Sequence, residues 1–179
     1  PGEDLESFGV GFDRLYALAP HEIQVGILKR LRGTPIARHT EAYGMRYNPD
    51  APYNVLRTDR IAFSDVQRIA RFARYWEMVG NSGRFRSTLP LIAGEAGTGA
   101  AYTPFMRFAD WLYARTGKTH EMALERLARL IQAFLTTELA VESALAALTL
   151  QRDYEASGAK GRLEFPDNAA VVSHSSTER

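Results

Sequence analysis

Four histidines are the first candidates for acid–base or metal chemistry, and each of them stands alone in the sequence. They are His21, His39, His120 and His174. None belongs to the paired spacing of a helical zinc site or to a cluster of histidine and cysteine ligands. The chain has no cysteine, which also excludes a thiol nucleophile, a thiolate metal site and a disulfide. We interpret the histidines as surface or capping residues and expect no metal site.

A glycine-rich run is the next candidate, because closely spaced glycines can form a phosphate-binding loop. The run is Gly94-Glu95-Ala96-Gly97-Thr98-Gly99. It lacks the Gly-Lys-Ser/Thr that grips a nucleotide and a clear strand in front of it, so we interpret it as a flexible loop. Hydroxyls also lie close to acids, but their spacing assembles no nucleophile, base and orienting group. These segments are Ser64-Asp65, Ser87-Thr88 and Thr119-His120-Glu121, and no catalytic residue is predicted.

The charge balance argues against an electrostatic partner. The 22 Lys and Arg residues face 21 Asp and Glu residues, a net charge of +1, whereas proteins that bind nucleic acids or membrane surfaces normally carry a clear basic excess. We therefore interpret the basic run Lys29-Arg30-Leu31-Arg32 as solvated charge and expect neither a nucleic acid nor a membrane as a partner. No apolar run approaches the roughly 20 residues that span a bilayer. No signal peptide is visible, so the expected location is the cytoplasm.

The elements that would position these residues begin with a helix and a strand. Asp4 can cap a helix over about residues 5–18, where apolar residues recur at spacings of three and four. Residues 22–28 alternate polar and apolar and end in an apolar stretch, which predicts a strand. Pro35 is well placed as the first residue of a short helix that reaches about Ala42.

The remaining pattern predicts a hairpin and then helices. From residue 64 onward apolar residues recur with helical spacing, interrupted by a loop over about residues 81–100. Residues 45–47 and 53–57 are predicted as short extended segments or a hairpin. Helices are predicted over about 65–79, 104–117 and 120–138, the last continued by 139–154 after a kink at Thr136-Thr137, with Ser64 and Thr119 as caps and Gly80 and Gly117 as stops.

Two segments resemble a known enzyme family. Pro1-Gly2-Glu3-Asp4-Leu5-Glu6-Ser7-Phe8 resembles the end of the Gly-Leu-Pro-Gly-Glu-Thr/Asp element that follows a late barrel strand in radical-SAM enzymes. Ile27-Leu28-Lys29-Arg30-Leu31-Arg32-Gly33-Thr34-Pro35-Ile36 is similar to the strand and Leu-x-x-Leu-x-Gly-Thr-Pro-Leu segment of the same enzymes. The helix and strand between the two motifs also match the family's spacing. The helical remainder is similar to the C-terminal extension, of unknown function, on cobalamin-binding radical-SAM proteins.

The resemblance implies a fold class and a domain order. The fold would be mainly α (α+β), with the last βα element of a TIM-like partial barrel followed by a C-terminal helical bundle. Residues 1–60 would be the barrel remnant, and residues 61–179 would be the helical extension, with a flexible tail from about residue 158. A cobalamin-binding domain and a radical-SAM barrel would precede them in the parent. The start at Pro1 rather than Met is consistent with a piece of a longer polypeptide.

The resemblance also implies where a cofactor and a substrate would lie. Gly2, Glu3 and Leu28 would lie near S-adenosylmethionine in the parent, and Gly33-Thr34-Pro35 would be close to the substrate, at the face where barrel active sites form. The family's Cys-x-x-x-Cys-x-x-Cys motif, which holds a four-iron four-sulfur cluster, is absent because the chain has no cysteine. The chain alone is therefore expected to hold no cofactor and to be inactive. S-adenosylmethionine, the iron–sulfur cluster and cobalamin are expected for the parent.

Two functions stay open at this point. The first is a non-catalytic C-terminal fragment of a cobalamin-binding, iron–sulfur radical-SAM enzyme that caps the barrel or shapes substrate access. Its partners would be the N-terminal radical-SAM and cobalamin-binding domains of the same polypeptide, and an exposed barrel edge would allow a homodimer. The alternative is a stand-alone helical protein-interaction module. A self-sufficient hydrolase or transferase would require a pocket that joins a histidine to a hydroxyl and an acid.

Overall fold

The computed structural model describes residues 1–95, 97 and 100–165, and this part of the chain is mainly helical. The mainly α prediction is therefore confirmed. No helix in the described part is long and apolar enough to cross a membrane. The elements in chain order are α1 (Leu5–Ala17), a 3-10 helix (Pro35–His39), β1 (Arg46–Tyr47), β2 (Val55–Arg57), α2 (Phe63–Trp76), a π-helical turn (Glu77–Asn81), α3 (Leu89–Ala93), α4 (Tyr102–Thr116), α5 (Leu124–Thr137) and α6 (Ser143–Ala156).

Helix α1 begins where the sequence predicts it. The Asp4 carboxylate accepts a hydrogen bond from the backbone N–H of Ser7 (2.8 Å), and the N–H of Asp4 donates to the Ser7 hydroxyl (3.0 Å). This reciprocal capping box gives acceptors to two N–H groups that a helix start otherwise leaves unpaired. The bonds from Ser7 also lower the pKa of the Asp4 carboxyl group. The start of α1 is thus fixed locally, immediately beside Gly2 and Glu3.

Residues 22–28 do not form the predicted strand. The segment is extended, but only its end is paired: the N–H of Val55 donates to the Leu28 carbonyl (2.8 Å), and the N–H of Arg30 donates to the Tyr53 carbonyl (3.0 Å). β2 therefore carries β1 on one side, as the predicted antiparallel hairpin, and this short stretch on the other. A regular strand requires a pairing partner along its length, and β2 covers only its end. The predicted barrel remnant is not confirmed.

Two predicted limits of helix α2 are wrong. The helix begins at Phe63, one residue after the extended Ala62, and Ser64 lies inside it instead of capping it. Gly80 does not stop the helix, because the chain continues through the π-helical turn. At Gly80 a Cβ atom would lie only 2.6 Å from Cε2 of the Trp76 indole. The glycine is therefore required by the close approach of that ring.

The later helices also differ from the pattern in the sequence. α3 interrupts the predicted loop at 81–100. α4 begins at Tyr102, two residues before its predicted start, and it ends at the left-handed Gly117, as predicted. α5 starts only at Leu124, because Glu121 adopts a φ of 55° that no helix continues through. Ala140, with a φ of 53°, separates α5 from α6 in the same way.

One aromatic core joins α1, α2 and α4. Phe72 of α2 and Phe105 of α4 are fully buried, with ring centroids 5.3 Å apart, and Phe12 of α1 packs edge-on against Trp76 at 4.8 Å. Edge-to-face pairs of this kind are the geometry that aromatic rings prefer. The packing crosses the predicted boundary near residue 60. The division into residues 1–60 and 61–179 stays a prediction.

The second half of the core continues through α5 and α6. Asp153 of α6 is buried, and its carboxylate accepts hydrogen bonds from the N–H groups of Ser87 (2.9 Å) and Thr88 (2.8 Å) just before α3. Leu163 is also buried, and the Glu164 carbonyl accepts a bond from Arg129 of α5 (3.1 Å). The first part of the predicted flexible tail, residues 158–165, thus lies against α5 and α6. The rest of that tail lies outside the described residues.

Candidate functional site

The three residues predicted near S-adenosylmethionine line one cavity. Gly2, Glu3 and Leu28 all border a hollow of about 290 Å³ between the start of α1, the 26–28 segment, the hairpin and α2. The other lining residues are mostly apolar; they are Pro1, Phe8, Gly26, Ile27, Met45, Val55, Thr58, Ile61, Val66 and Ile69. We call this hollow the apolar cavity. The fold thus brings the motif that contains Gly2 and Glu3 next to the motif that contains Leu28.

Gly2 and Glu3, just before the start of α1, form the polar edge of the apolar cavity. Gly2 has a φ of 82°, a left-handed conformation that glycine adopts without steric cost, and this turn leads directly into the capped helix. The Glu3 carboxylate accepts a hydrogen bond from the Ser7 hydroxyl (2.8 Å). That bond anchors Glu3 beside the capping box, so that an acceptor group stays at the rim of the cavity.

The opposite wall of the apolar cavity is a small apolar cluster. Ile61, Val66 and Ile69 are buried together, with Leu5 and Ile27 packed against them. Because the walls are aliphatic, they favour an apolar ligand and exclude water.

The lip of the apolar cavity is formed at Leu28. This side chain is 39% exposed, and the bond from Val55 to its carbonyl fixes its backbone. The lip is thus partly open to solvent and anchored to β2.

Few groups in the apolar cavity could take part in proton transfer. Besides Glu3, the lining contributes the Thr58 hydroxyl, which accepts hydrogen bonds from the N–H groups of Arg60 (3.1 Å) and Ile61 (3.0 Å). Among the described residues, neither a histidine nor a lysine lines the cavity. The arrangement can bind an apolar group with a hydrogen-bond donor at one edge. It offers no nucleophile and base pair.

The three residues predicted near the substrate are not in the apolar cavity. Gly33 and Thr34 line a separate hollow of about 460 Å³, together with Arg30, Arg32 and Tyr53. Its remaining lining residues are Leu31, Ala37 and Pro49, and we call it the basic hollow. Pro35 is the first residue of the 3-10 helix that follows. Among the described residues the two hollows share no lining residue, and Pro35 lines neither of them.

A third hollow, of about 290 Å³, lies beyond the end of α1 and contains one of the four histidines. It brings His21 beside Tyr16 and Glu95. The Tyr16 hydroxyl donates to the Gly94 carbonyl (2.8 Å), and burial raises the pKa of Tyr16. The hollow thus brings a histidine, a hydroxyl and an acid together, although within the described chain no hydrogen bond reaches the His21 ring.

The other predicted candidates add no ligand set. His39 accepts a hydrogen bond from Arg38 (3.0 Å) and packs against Tyr43. In the described part of the chain, no group of three or more His, Asp or Glu side chains could hold a metal ion. His174 and residues 96, 98 and 99 of the glycine run lie outside the described residues.

One polar cluster has no signal in the sequence. Arg68 of α2 donates to the Asp110 carboxylate of α4 from Nε and Nη2 (3.2 and 2.7 Å), which raises the pKa of Arg68. Beside it, the Tyr102 hydroxyl is buried without a hydrogen-bond partner in the described residues, and burial raises the pKa of Tyr102. Arg68 and Asp110 lie 42 positions apart, so no local pattern could pair them. The ion pair joins α2 to α4.

Comparison with known proteins identifies a family but no function. The model of the family described as "Protein of unknown function (DUF4080)" matches residues 41–169. No curated protein and no solved structure matches the chain. The matched region includes the hairpin and all helices from α2 to α6.

Proposed function

Since the chain belongs to the DUF4080 family, which is described only as having unknown function, we propose a function from its geometry and from its resemblance to radical-SAM enzymes. The chain is the non-catalytic C-terminal part of a cobalamin-binding radical-SAM enzyme. Its partners are the radical-SAM and cobalamin-binding domains of the same polypeptide. Its role is to cover the barrel and to shape access to the active site.

One observation carries this proposal. Gly2 and Glu3 belong to the first motif that resembles the family, and Leu28 belongs to the second, yet all three line the apolar cavity. The resemblance assigns both motifs to the same end of a barrel. Their convergence in a single cavity supports that assignment, because residues at the same end of a barrel must lie close together.

The residues of the apolar cavity suit a positioning role. Its aliphatic walls would keep water away from a bound group, and the Glu3 carboxylate could accept a hydrogen bond from an ammonium group at the rim. Its volume of about 290 Å³ lies at the lower limit for small-molecule pockets, roughly 300–1,000 Å³. The cavity would therefore enclose part of a ligand, with the rest against the barrel.

The expected iron–sulfur cluster does not fit this chain. A four-iron four-sulfur cluster requires thiolate ligands, and the chain has no cysteine. In this proposal the preceding domains of the parent hold the cluster and cobalamin.

Filling the apolar cavity in the full-length protein tests the proposal. Leu28→Trp would extend a large ring from the lip of the cavity, whereas the matched control Leu18→Trp places the same ring at a position that is 76% exposed and lines none of the hollows. We expect Leu28→Trp to weaken S-adenosylmethionine binding at least about ten-fold, as measured by isothermal titration calorimetry, and Leu18→Trp to leave it unchanged. Equal affinities for both variants and the wild type would refute the proposed position of the cavity.

The alternative, a helical interaction module, is favoured by one observation on α6. Leu145 and Leu148 are 47% and 70% exposed, and residues three apart share a helix face. Size-exclusion chromatography with light scattering separates the two functions. A chain whose apolar cavity is normally covered by a barrel should self-associate when isolated, and Leu28→Glu should reduce that association. Self-association that Leu148→Glu removes and Leu28→Glu does not would favour the interaction module.

A further inference from the structure

The charge of the chain is unevenly distributed. The segment of residues 29–60 carries seven Lys and Arg residues and three Asp and Glu residues, a net charge of +4. The whole chain carries +1, so the rest of it is net acidic. The basic residues of the segment are Lys29, Arg30, Arg32, Arg38, Arg46, Arg57 and Arg60. Arg46 and Arg57 lie in the hairpin, Lys29 lies in the stretch paired with it, and Arg38 lies in the 3-10 helix between them.

Among the described residues, most of these cations have no acidic partner. In the hairpin, Arg46 lies directly opposite Arg57, and like charges at opposite positions destabilise a strand pair. Both are exposed, and neither forms an ion pair or a side-chain hydrogen bond within the described residues. Of the seven, Arg60 is paired with an acid, Asp4, at 3.8 Å. The uncompensated charge gives this segment a positive potential, which favours an anion.

The basic hollow concentrates this charge in a concave site. Arg30 and Arg32 line its volume of about 460 Å³, which lies within the range of small-molecule sites. The Arg30 guanidinium lies over the Tyr47 ring, 5.1 Å from its centroid, so the ring helps to orient it. Arg32 has no partner within the described part of the chain.

The rest of the basic hollow is shaped by two turns. The Thr34 hydroxyl donates to the Leu31 carbonyl (2.7 Å), which fixes the turn at Gly33. Tyr53 adopts a φ of 59°, a conformation that costs energy for a residue other than glycine. The Tyr53 hydroxyl makes no hydrogen bond to the described residues and is therefore available as a donor.

We propose that the basic hollow binds the phosphate group of a small phosphorylated ligand. The planar guanidinium groups of Arg30 and Arg32 match phosphate oxygens in pairs, and the Tyr53 hydroxyl adds a third donor. A small ligand is favoured over a nucleic acid because the donors lie in one hollow and the rest of the chain, being net acidic, would repel a long polyanion. This site is separate from the apolar cavity and does not rest on the function proposed for it.

Titration of the purified chain with inorganic pyrophosphate tests the site. Isothermal titration calorimetry at low ionic strength should show saturable binding of one pyrophosphate per chain, and sodium chloride at the same ionic strength should give no such signal. Arg30→Gln and Arg32→Gln should each weaken binding about ten-fold, the value of one lost charge-assisted hydrogen bond. The matched control is Arg84→Gln, which removes an exposed arginine that lines none of the described hollows.

Three results would overturn the proposal. The first is the absence of saturable pyrophosphate binding by the wild type. The second is equal weakening of pyrophosphate binding by Arg84→Gln and Arg32→Gln, which would show that binding depends only on the net charge of the chain. The third is binding of a single-stranded oligonucleotide without binding of pyrophosphate, which would indicate an extended polyanion surface. If Arg32→Gln does not fold, Arg32→Lys replaces it, since lysine keeps the charge but loses the paired geometry and should still weaken binding.

Discussion

Replacing Gly9 by alanine should destabilise the protein, although the same change at an exposed helix position normally stabilises one. Gly9 is buried on the face of α1 that meets α4. A Cβ atom there would lie 2.5 Å from Cδ1 and 2.6 Å from Cε1 of the Tyr102 ring. On the side of α1 and α2, Phe8 and Phe72 pack against that ring, with centroids at 5.5 and 5.6 Å. The new methyl group must therefore displace either the ring or the helix.

Gly11, in the same helix, is the matched control, since a Cβ atom there has no neighbour within 4 Å. Replacing glycine by alanine inside a helix gains up to about 1 kcal/mol, whereas an extra carbon in a packed core costs about 1–3 kcal/mol. We expect Gly11→Ala to raise the free energy of unfolding by about 0.5–1 kcal/mol and Gly9→Ala to lower it by about 1–2 kcal/mol. In a chain of this size about 1 kcal/mol shifts the Tm by about 2–4 °C. The two variants should therefore differ by roughly 3–12 °C.

Thermal and urea unfolding, followed by far-UV circular dichroism, measures the difference. A Gly9→Ala variant as stable as Gly11→Ala would refute the packing of α1 against Tyr102. That result would also remove the structural basis for the apolar cavity, because α1 positions Gly2 and Glu3.

Two further perturbations concern carboxylates that accept backbone hydrogen bonds. Asp153→Ala would leave the N–H groups of Ser87 and Thr88 without acceptors and should cost about 2–5 kcal/mol of unfolding free energy. Asp153→Asn keeps one acceptor oxygen and should cost less. Equal urea midpoints for the wild type and Asp153→Ala would contradict a stabilising role of these two hydrogen bonds. The pKa of Asp4 is lowered in the folded state, so its contribution to stability is present above its unfolded pKa of about 3.9 and is lost as the pH falls through the folded pKa. The side chain of an Asp4→Asn variant can still accept a hydrogen bond from Ser7, but it does not titrate. The free energy of unfolding of this variant, measured with urea, should therefore fall less steeply with decreasing pH than that of the wild type. Parallel pH dependence of the two proteins would argue against the lowered pKa of Asp4.

Local signals in the sequence predicted the elements that local interactions determine. The start of α1 follows from Asp4, whose side chain reaches the N–H three residues later. The end of α4 follows from Gly117, which supplies the left-handed conformation of a helix end. The hairpin was also predictable, since its two short segments are separated by a turn rich in Asn, Pro and Asp.

The errors occurred where distant residues decide the structure. Residues 22–28 have the pattern of a strand, but whether a strand forms depends on a partner, and β2 pairs only with its end. Gly80 has the usual sequence signal of a helix stop, yet its role is to admit the Trp76 ring, a contact that no spacing rule contains.

The two hollows show which parts of a site can be predicted from the sequence and which cannot. Gly2, Glu3 and Leu28 were grouped by resemblance, and the structure does bring them together. The aliphatic walls that complete the apolar cavity come from α2 and the hairpin, and only tertiary packing places them there. For Arg30, the sequence showed charge without showing the Tyr47 ring beneath it, because that contact crosses the paired strands.

The proposal that the chain is the C-terminal part of a radical-SAM enzyme is tested most directly by the reading frame upstream of Pro1. The proposal predicts an in-frame segment of barrel length that contains a Cys-x-x-x-Cys-x-x-Cys motif, preceded by a cobalamin-binding domain. A reading frame with neither that motif nor a segment of barrel length would contradict it.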